Sequence, residues 1–263
     1  LEKGADFTIS SMIVKSEDAG RFGILEVDER NRIIGFEEKP KQPKEIPGKP
    51  GFCLTSMGNY LAEIPVLIEM LHEDAKNEWS THDFGKDVIP LMLKKGLRMY
   101  AYDFADNRVP GEDQVYWRDV GTIRSYWEAN MDLVNVKPEL NLYNDLWPIK
   151  TSPDFTPPAK WVLNQTLVDN AIISGGCIVT RSEIIKSILS KRVRLEKGAM
   201  VRESVVFAGV TIGEGAQVRK AIIDKYVNIP PHTRIGFSQE EDEARGFKVS
   251  DGITVVPKNY VFT

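Results

Sequence analysis

Aliphatic residues recur about every six positions through the C-terminal part of the chain. The steps are Ile172, Ile178, Ile184, then Val193, Ala199, Val205, then Ile212, Val218, then Ile223, Ile229, Ile235. Small turn residues fall between them, as in Thr211-Ile-Gly-Glu-Gly-Ala216. One inward aliphatic per six-residue step is the pattern of a parallel β-helix, in which each face of a coil is one short strand. The register slips twice along the run, so the expected coil is imperfect. A β-sandwich of short irregular strands is the competing arrangement.

The first 145 residues have a different texture. Phe7 to Val14 is rich in β-formers. Phe22–Val27 and Arg32–Glu37 flank the polar turn Asp28-Glu-Arg-Asn31 and predict a hairpin. Leu61, Ile64, Leu67, Ile68 and Leu71 share one helical face, with Pro65 in the first turn. Asp87 to Lys95 predicts a second helix stopped by Gly96. Leu97, Met99, Ala101 and Asp103 alternate as in a strand, and Ile123 to Val134 has helical spacing behind a Thr122 N-cap. Strands interleaved with helices predict an α/β layer structure. Trp147-Pro148 and Pro157-Pro158 break regular structure, so 146 to about 165 reads as a linker. The expected domains are therefore 1–145, α/β, and 146–263, linker plus β-helix.

Composition removes several classes of function. A formal net charge of −4 over 263 residues is wrong for a nucleic-acid binder. No run of 18 apolar residues predicts a membrane span. Two cysteines, Cys53 and Cys177, exclude a disulfide framework and any CxxC knuckle, and they fit a reducing cytoplasm. Neither GxGxxG nor a Walker loop occurs. The opening Leu1-Glu-Lys-Gly4 reads as mid-protein, which predicts a fragment.

Four stretches carry candidate chemistry. In Glu37-Glu-Lys-Pro40 the proline biases Lys39 toward an extended backbone at a strand end, where α/β sheets bind ligands. There Lys39 suits a phosphate dianion and Glu38 suits sugar hydroxyls. Thr55-Ser-Met-Gly-Asn-Tyr60 offers a hydroxyl, a tyrosine, and Gly58 for close backbone approach to a ligand. Ser80-Thr-His-Asp-Phe-Gly-Lys-Asp87 concentrates polar groups before a helix, with Asp83 or Thr81 as its N-cap, whereas His82 is a poor metal ligand by itself. In Tyr116-Trp-Arg-Asp-Val-Gly-Thr122 the Asp119 carboxylate is of the hard-oxygen kind that Mg²⁺ prefers, and a partner for Arg118 is its alternative role. Separately, Arg181 to Arg202 holds seven basic residues against two acidic ones, a charge able to attract a phosphorylated effector or to line a subunit contact.

In order, Arg21-Phe-Gly-Ile24, Phe36-Glu-Glu-Lys-Pro40, Ser56-Met-Gly-Asn-Tyr60, His82-Asp-Phe-Gly-Lys-Asp87, Tyr116-Trp-Arg-Asp-Val-Gly-Thr122, Trp127-Glu-Ala-Asn130 and Ser174-Gly-Gly-Cys177 resemble the bacterial glucose-1-phosphate adenylyltransferases (ADP-glucose pyrophosphorylases). The resemblance implies the second half of a Rossmann-like nucleotidyltransferase domain followed by a left-handed parallel β-helix. It also implies formation of ADP-glucose and diphosphate from ATP and glucose 1-phosphate, with Mg²⁺, for glycogen synthesis in the cytoplasm. By motif, Lys39 resembles the lysine that grips the sugar phosphate, with Gly23, Glu38 and Ser56 beside it. Tyr60, Asp83 and Trp117 resemble the sugar-pocket lining, and Asp119 a metal-holding carboxylate that converges with Lys39 on the same substrate. The family's Gly-rich GGxGTRL loop for ATP is not in this sequence, so the chain is expected to be inactive without it. The resemblance further implies a homotetramer under a phosphorylated allosteric effector, with Arg245 of Ala244-Arg-Gly-Phe247 as an effector residue. Use of UTP or dTTP, and a non-catalytic regulatory subunit, stay open as alternatives.

Overall fold

The computed structural model describes residues 4–152 and 154–262. They form two compact units, Leu1–Arg108 and Val109–Thr263. The helix expected to close the first domain is thus grouped with the β-helix, because its apolar face packs there.

The first unit is built on β1 (Phe7–Lys15), α1 (Ser16–Ala19), β2 (Gly23–Val27), β3 (Ile33–Glu38), β4 (Phe52–Ala62), α2 (Ile64–Asp74), α3 (Ile89–Lys94) and β5 (Met99–Asp103). The sheet order is β3-β2-β4-β1-β5. The predicted hairpin is present, with β2 antiparallel to β3. β1 runs antiparallel to β4 and parallel to β5. Phe7, Ile9, Met70, Ile89, Met92 and Met99 are fully buried beneath it.

Two expectations for this unit change. α2 exists, but the predicted stripe mostly faces outward: Ile64 is 69% exposed and Ile68 50%, whereas Val66, Leu67 and Met70 meet the core. The first half of α2 is apolar nearly all round, so periodicity alone does not select its buried face. The helix expected from Asp87 begins as α3 at Ile89, behind a π-helical turn at Phe84–Val88. Gly96 supplies the left-handed stop, with φ +73°.

In the second unit α4 (Ile123–Leu133) starts at the Thr122 N-cap, with a reciprocal capping box to Ser125. Its Ile123, Tyr126, Trp127 and Met131 pack on Val205, Ile222 and Ile253, and Trp127 Nε1 donates to the Glu203 carbonyl at 2.7 Å. Regular structure resumes at Lys160–Val162, inside the expected linker. From there short parallel strands wind as a β-helix. One face is a five-stranded sheet from Lys160–Val162 through Ile178–Thr180, Arg194–Leu195 and Thr211–Ile212 to Asn228–Ile229. A second face stacks Ile184 on Val201, Val218 and Ile235, each 17 residues after the last.

That spacing explains the slips. The inward residues run Val201, Val206, Ile212, Val218, Ile223, Ile229, Ile235, so one step in three is five residues long. Val205, expected inside, faces α4, and Val206 takes its place in the core. Corners are turned by left-handed residues in columns, one of them Arg181, Gly198, Gly215 and His232, another Lys186, Glu203 and Lys220. Ser187 and Ser204 stack inside the coil, Ser187 Oγ accepting from the Ser204 N–H and Ser204 Oγ from the Ala221 N–H. The short α5 (Gln239–Ala244), capped by Ser238, precedes the final strands.

Candidate functional site

Six of the eight predicted substrate and phosphate residues lie in the first unit, and the sheet brings them together. β3 ends at Glu38, and the chain turns at Lys39 with its N–H on the Phe22 carbonyl at 3.1 Å. Lys39 is not extended as predicted. Its φ is +49°, in the left-handed region that a non-glycine residue enters at a cost of about 1 kcal/mol or more. Pro40 excludes the helical alternative, and the turn carries the ammonium out of the strand line. Lys39 Nζ lies 3.5 Å from Glu38 Oε1.

Gly85 makes room for Glu38, and Gly23 for both the Phe36 ring and Glu38. A Cβ on Gly23 would sit 2.9 Å from Glu38 Oε2, and one on Gly85 would sit 2.5 Å from the same oxygen. Gly23 was predicted; Gly85 was missed, although a glycine directly after an aromatic in a polar run is a usable signal. On β4, Met57, Gly58 and Asn59 oppose the single residue Ser10, a bulge between the pairs Ser11↔Ser56 and Ile9↔Tyr60. Gly58 is there for its φ of +74°, and nothing lies within 4 Å of where its side chain would start, so it serves the bulge. Its N–H donates to Ser56 Oγ at 3.2 Å.

The bulge delivers Tyr60 between Phe7 and Phe84, with ring centroids 5.4 and 5.3 Å away and Phe84 stacked at 15°. Burial pushes the Tyr60 hydroxyl above the usual tyrosine range. A hydrogen bond with Ser56 opposes that, while the Glu38 and Asp83 carboxylates push it further up. The Glu38 and Asp83 carboxylates meet at Gly85, where a Cβ would lie 2.5 Å from Glu38 Oε2 and 3.3 Å from Asp83 Oδ1. Asp83 caps the π-helical turn, its Oδ1 accepting from the Lys86 N–H at 2.9 Å. Such turns recur at ligand sites because they displace one residue from the helical ladder. Thr81, the other predicted cap, instead donates its hydroxyl to Asp87 at 2.6 Å. Phe84, Asp74 and Asp87 had no sequence signal of their own.

Trp117 and Asp119 belong to the second unit. Asp119 is half-buried, and its Oδ1 accepts from the Gly121 N–H at 3.1 Å. No group of three potential metal-ligating side chains occurs among the described residues. A single half-exposed carboxylate fits Mg²⁺ only in the mode where substrate phosphates and water complete the shell.

The basic stretch is largely spent on structure. Lys191 and Arg192 pair with Asp154, Arg194 with Glu196, and Arg202 with Glu183. Arg245 donates to the Arg234 carbonyl at 2.7 Å and lies 3.4 Å from the buried Asp242. It thereby ties α5 to the last coil.

The Nucleotidyl transferase family matches residues 1–136, just over half the chain. The chain belongs to the nucleotidyl transferase family. Residues 157–256 match the GlmU-like C-terminal hexapeptide family, the region of the parallel coils. Among proteins similar to this member of the family is the glucose-1-phosphate adenylyltransferase of Thermus thermophilus, 49% identical over 98% of this chain and 64% of its own length. The enzymes of that name from Trichlorobacter lovleyi and Deinococcus radiodurans are 47% and 43% identical over 97% and 100% of this chain. The chain spans about 64% of the length of these relatives. No helix among the described residues is long and apolar enough to cross a membrane.

Proposed function

We propose that this nucleotidyltransferase chain is the sugar-phosphate-binding part of a glucose-1-phosphate adenylyltransferase, serving glycogen synthesis in the cytoplasm. The reaction joins an oxygen of the glucose 1-phosphate phosphoryl group to the α-phosphorus of ATP. The bond from that phosphorus to the bridging oxygen breaks, and diphosphate leaves with its electron pair. Chemistry of this kind needs positioning and charge neutralisation, with no covalent nucleophile.

The observation that carries the reading is the Glu38–Lys39 step at the end of β3. It lays a carboxylate over Gly23 and Gly85 and sets an exposed ammonium beside it. Lys39 grips the sugar phosphate as a point charge. Glu38 and Asp83 accept hydrogen bonds from hexose hydroxyls, and Tyr60 and Phe84 wall the ring. Trp117 belongs to the sugar contacts on the family's motif. Magnesium, when bound, neutralises and orients phosphate oxygens, and Asp119 is the carboxylate that would hold it. The family's homotetramer and its phosphorylated effector acting near Arg245 belong to the same reading, testable by light scattering and by effector titration of Arg245→Ala.

Titrating glucose 1-phosphate into the chain by calorimetry tests the core of this proposal. Lys39→Ala removes a charged hydrogen-bond donor and should raise Kd about 10- to 100-fold with an unchanged Tm. An unchanged Kd would overturn the role of Lys39.

A further inference from the structure

Asp83 and Phe84 reach Glu38 and Tyr60 on a segment anchored elsewhere. Asp74, the last residue of α2, is only 6% exposed. Its Oδ1 accepts from Ser80 Oγ at 2.6 Å, and its Oδ2 lies 2.8 Å from His82 Nδ1. No lysine or arginine pairs with it among the described residues. A carboxylate at the C-terminal end of a helix faces the negative pole of the helix dipole, and burying it adds a further cost. Helix stability therefore gives no reason for aspartate at this position. The hydrogen bonds from Ser80 and His82 hold its carboxyl below the usual range, so it clasps them in the ionised form.

The clasp shapes the segment that follows. His82 has φ +59°, and its N–H donates to Ser80 Oγ at 3.0 Å. Asp87 takes the other side: its Oδ2 accepts from the Thr81 N–H at 3.1 Å, the Thr81 hydroxyl at 2.6 Å and the Asp83 N–H at 3.2 Å. Ser80 to Asp83 is thus strapped between two carboxylates immediately before Phe84. The strap holds the Asp83 backbone N–H, and the Lys86 N–H of the following turn holds its Oδ1, so the two together fix where the carboxylate stands.

We propose that Asp74 is a positioning residue for hexose recognition: through Ser80 and His82 it fixes the backbone that presents Asp83 to the sugar, while Lys39 holds the phosphate independently of it. The proposal rests on the sugar-phosphate reading above. It predicts that the clasp affects affinity for the sugar and leaves affinity for bare phosphate alone.

NMR titration of the whole chain with glucose 1-phosphate and, separately, with inorganic phosphate tests this. Asp74→Asn and His82→Ala should each weaken glucose 1-phosphate about tenfold and leave phosphate within about twofold. Asp74→Asn should add little in an Asp83→Asn background, because both act through one side chain. Equal loss for both ligands, full additivity with Asp83→Asn, or unchanged sugar affinity would each overturn the positioning role. His82 is exposed, so His82→Ala decides the matter if Asp74→Asn does not fold. Failure of the unaltered chain to bind glucose 1-phosphate would overturn the underlying reading, and this proposal with it.

Discussion

The two units are built on opposite plans. In the second, one coil is repeated with a 17-residue period, so each buried aliphatic sits on its own counterpart: Ile184 on Val201 on Val218 on Ile235. In the first, strands of five to eleven residues pair both ways, and residues far apart in sequence, such as Glu38 and Gly85, meet once. Repetition spreads stability evenly over nearest-neighbour contacts. Left-handed residues recur there in columns, as Arg181, Gly198, Gly215 and His232 do, because every coil turns the same corner. In the irregular sheet such features occur singly: a left-handed Lys39 at the end of β3, a left-handed His82 before the π-helical turn, and one bulge in β4. The contrast separates a device repeated in every coil from devices used once.

The largest effect that would test this contrast comes from the repeated coil. Ile212→Ala empties a fully buried site in the coil and should cost about 2–5 kcal/mol. By scanning calorimetry the β-helix transition should fall while that of residues 1–108 stays in place. Joint movement of both would show that the units do not melt separately. Next in size is Gly85→Ala. The new methyl would press on the Glu38 carboxylate, so glucose 1-phosphate affinity should drop about tenfold, about 1.4 kcal/mol, with the β-helix unchanged. An undiminished affinity would mean that the carboxylate can move aside without consequence.

The smallest and most graded difference is in acid. Asp6, Asp28, Glu45, Asp74 and Asp87 are held below the usual carboxylate range, and all of them lie in the first unit. The leading causes are hydrogen bonds, from Arg98 to Asp6, Ser80 to Asp74, Thr81 to Asp87, and backbone N–H groups to Asp28 and Glu45. Groups with a depressed folded pKa contribute stability above their unfolded values, near 4, and lose it as pH falls through the folded ones. The first unit should therefore lose stability before the second as pH drops below about 4. Acid titration followed by circular dichroism and tryptophan fluorescence would check the order, and earlier loss of the β-helix would reverse the comparison.

The same contrast governs what could be read in advance. The six-residue period announced the β-helix because inward and outward positions repeat in sequence as they do in space. Even its slips carried information, since a coil built of five- and six-residue steps must drift against a strict six. The hairpin, the Thr122 cap and the Gly96 stop were legible because each depends on residues within a few positions. The outward turn of the α2 stripe was not, because the neighbour that selects a helix's buried face lies far along the chain. Lys39, Glu38, Tyr60 and Asp83 are candidates by motif and residue type, and the structure brings the last three together. Gly85, Phe84 and Asp74 could not be given roles, because their partners Glu38, Tyr60 and Ser80 with His82 come from other elements or from across a turn.

By itself, then, the order of residues specified the repeat, the local starts and stops of elements, and the charged groups suited to a phosphorylated sugar, because those properties follow from short-range periodicity and side-chain chemistry. Only folding in three dimensions decided that Lys39 turns left-handed, that Glu38 lies over two glycines 62 residues apart, and that a buried carboxylate at the end of α2 straps the segment bearing Asp83. Those outcomes depend on which distant groups exclude water from one another, and no local pattern encodes that.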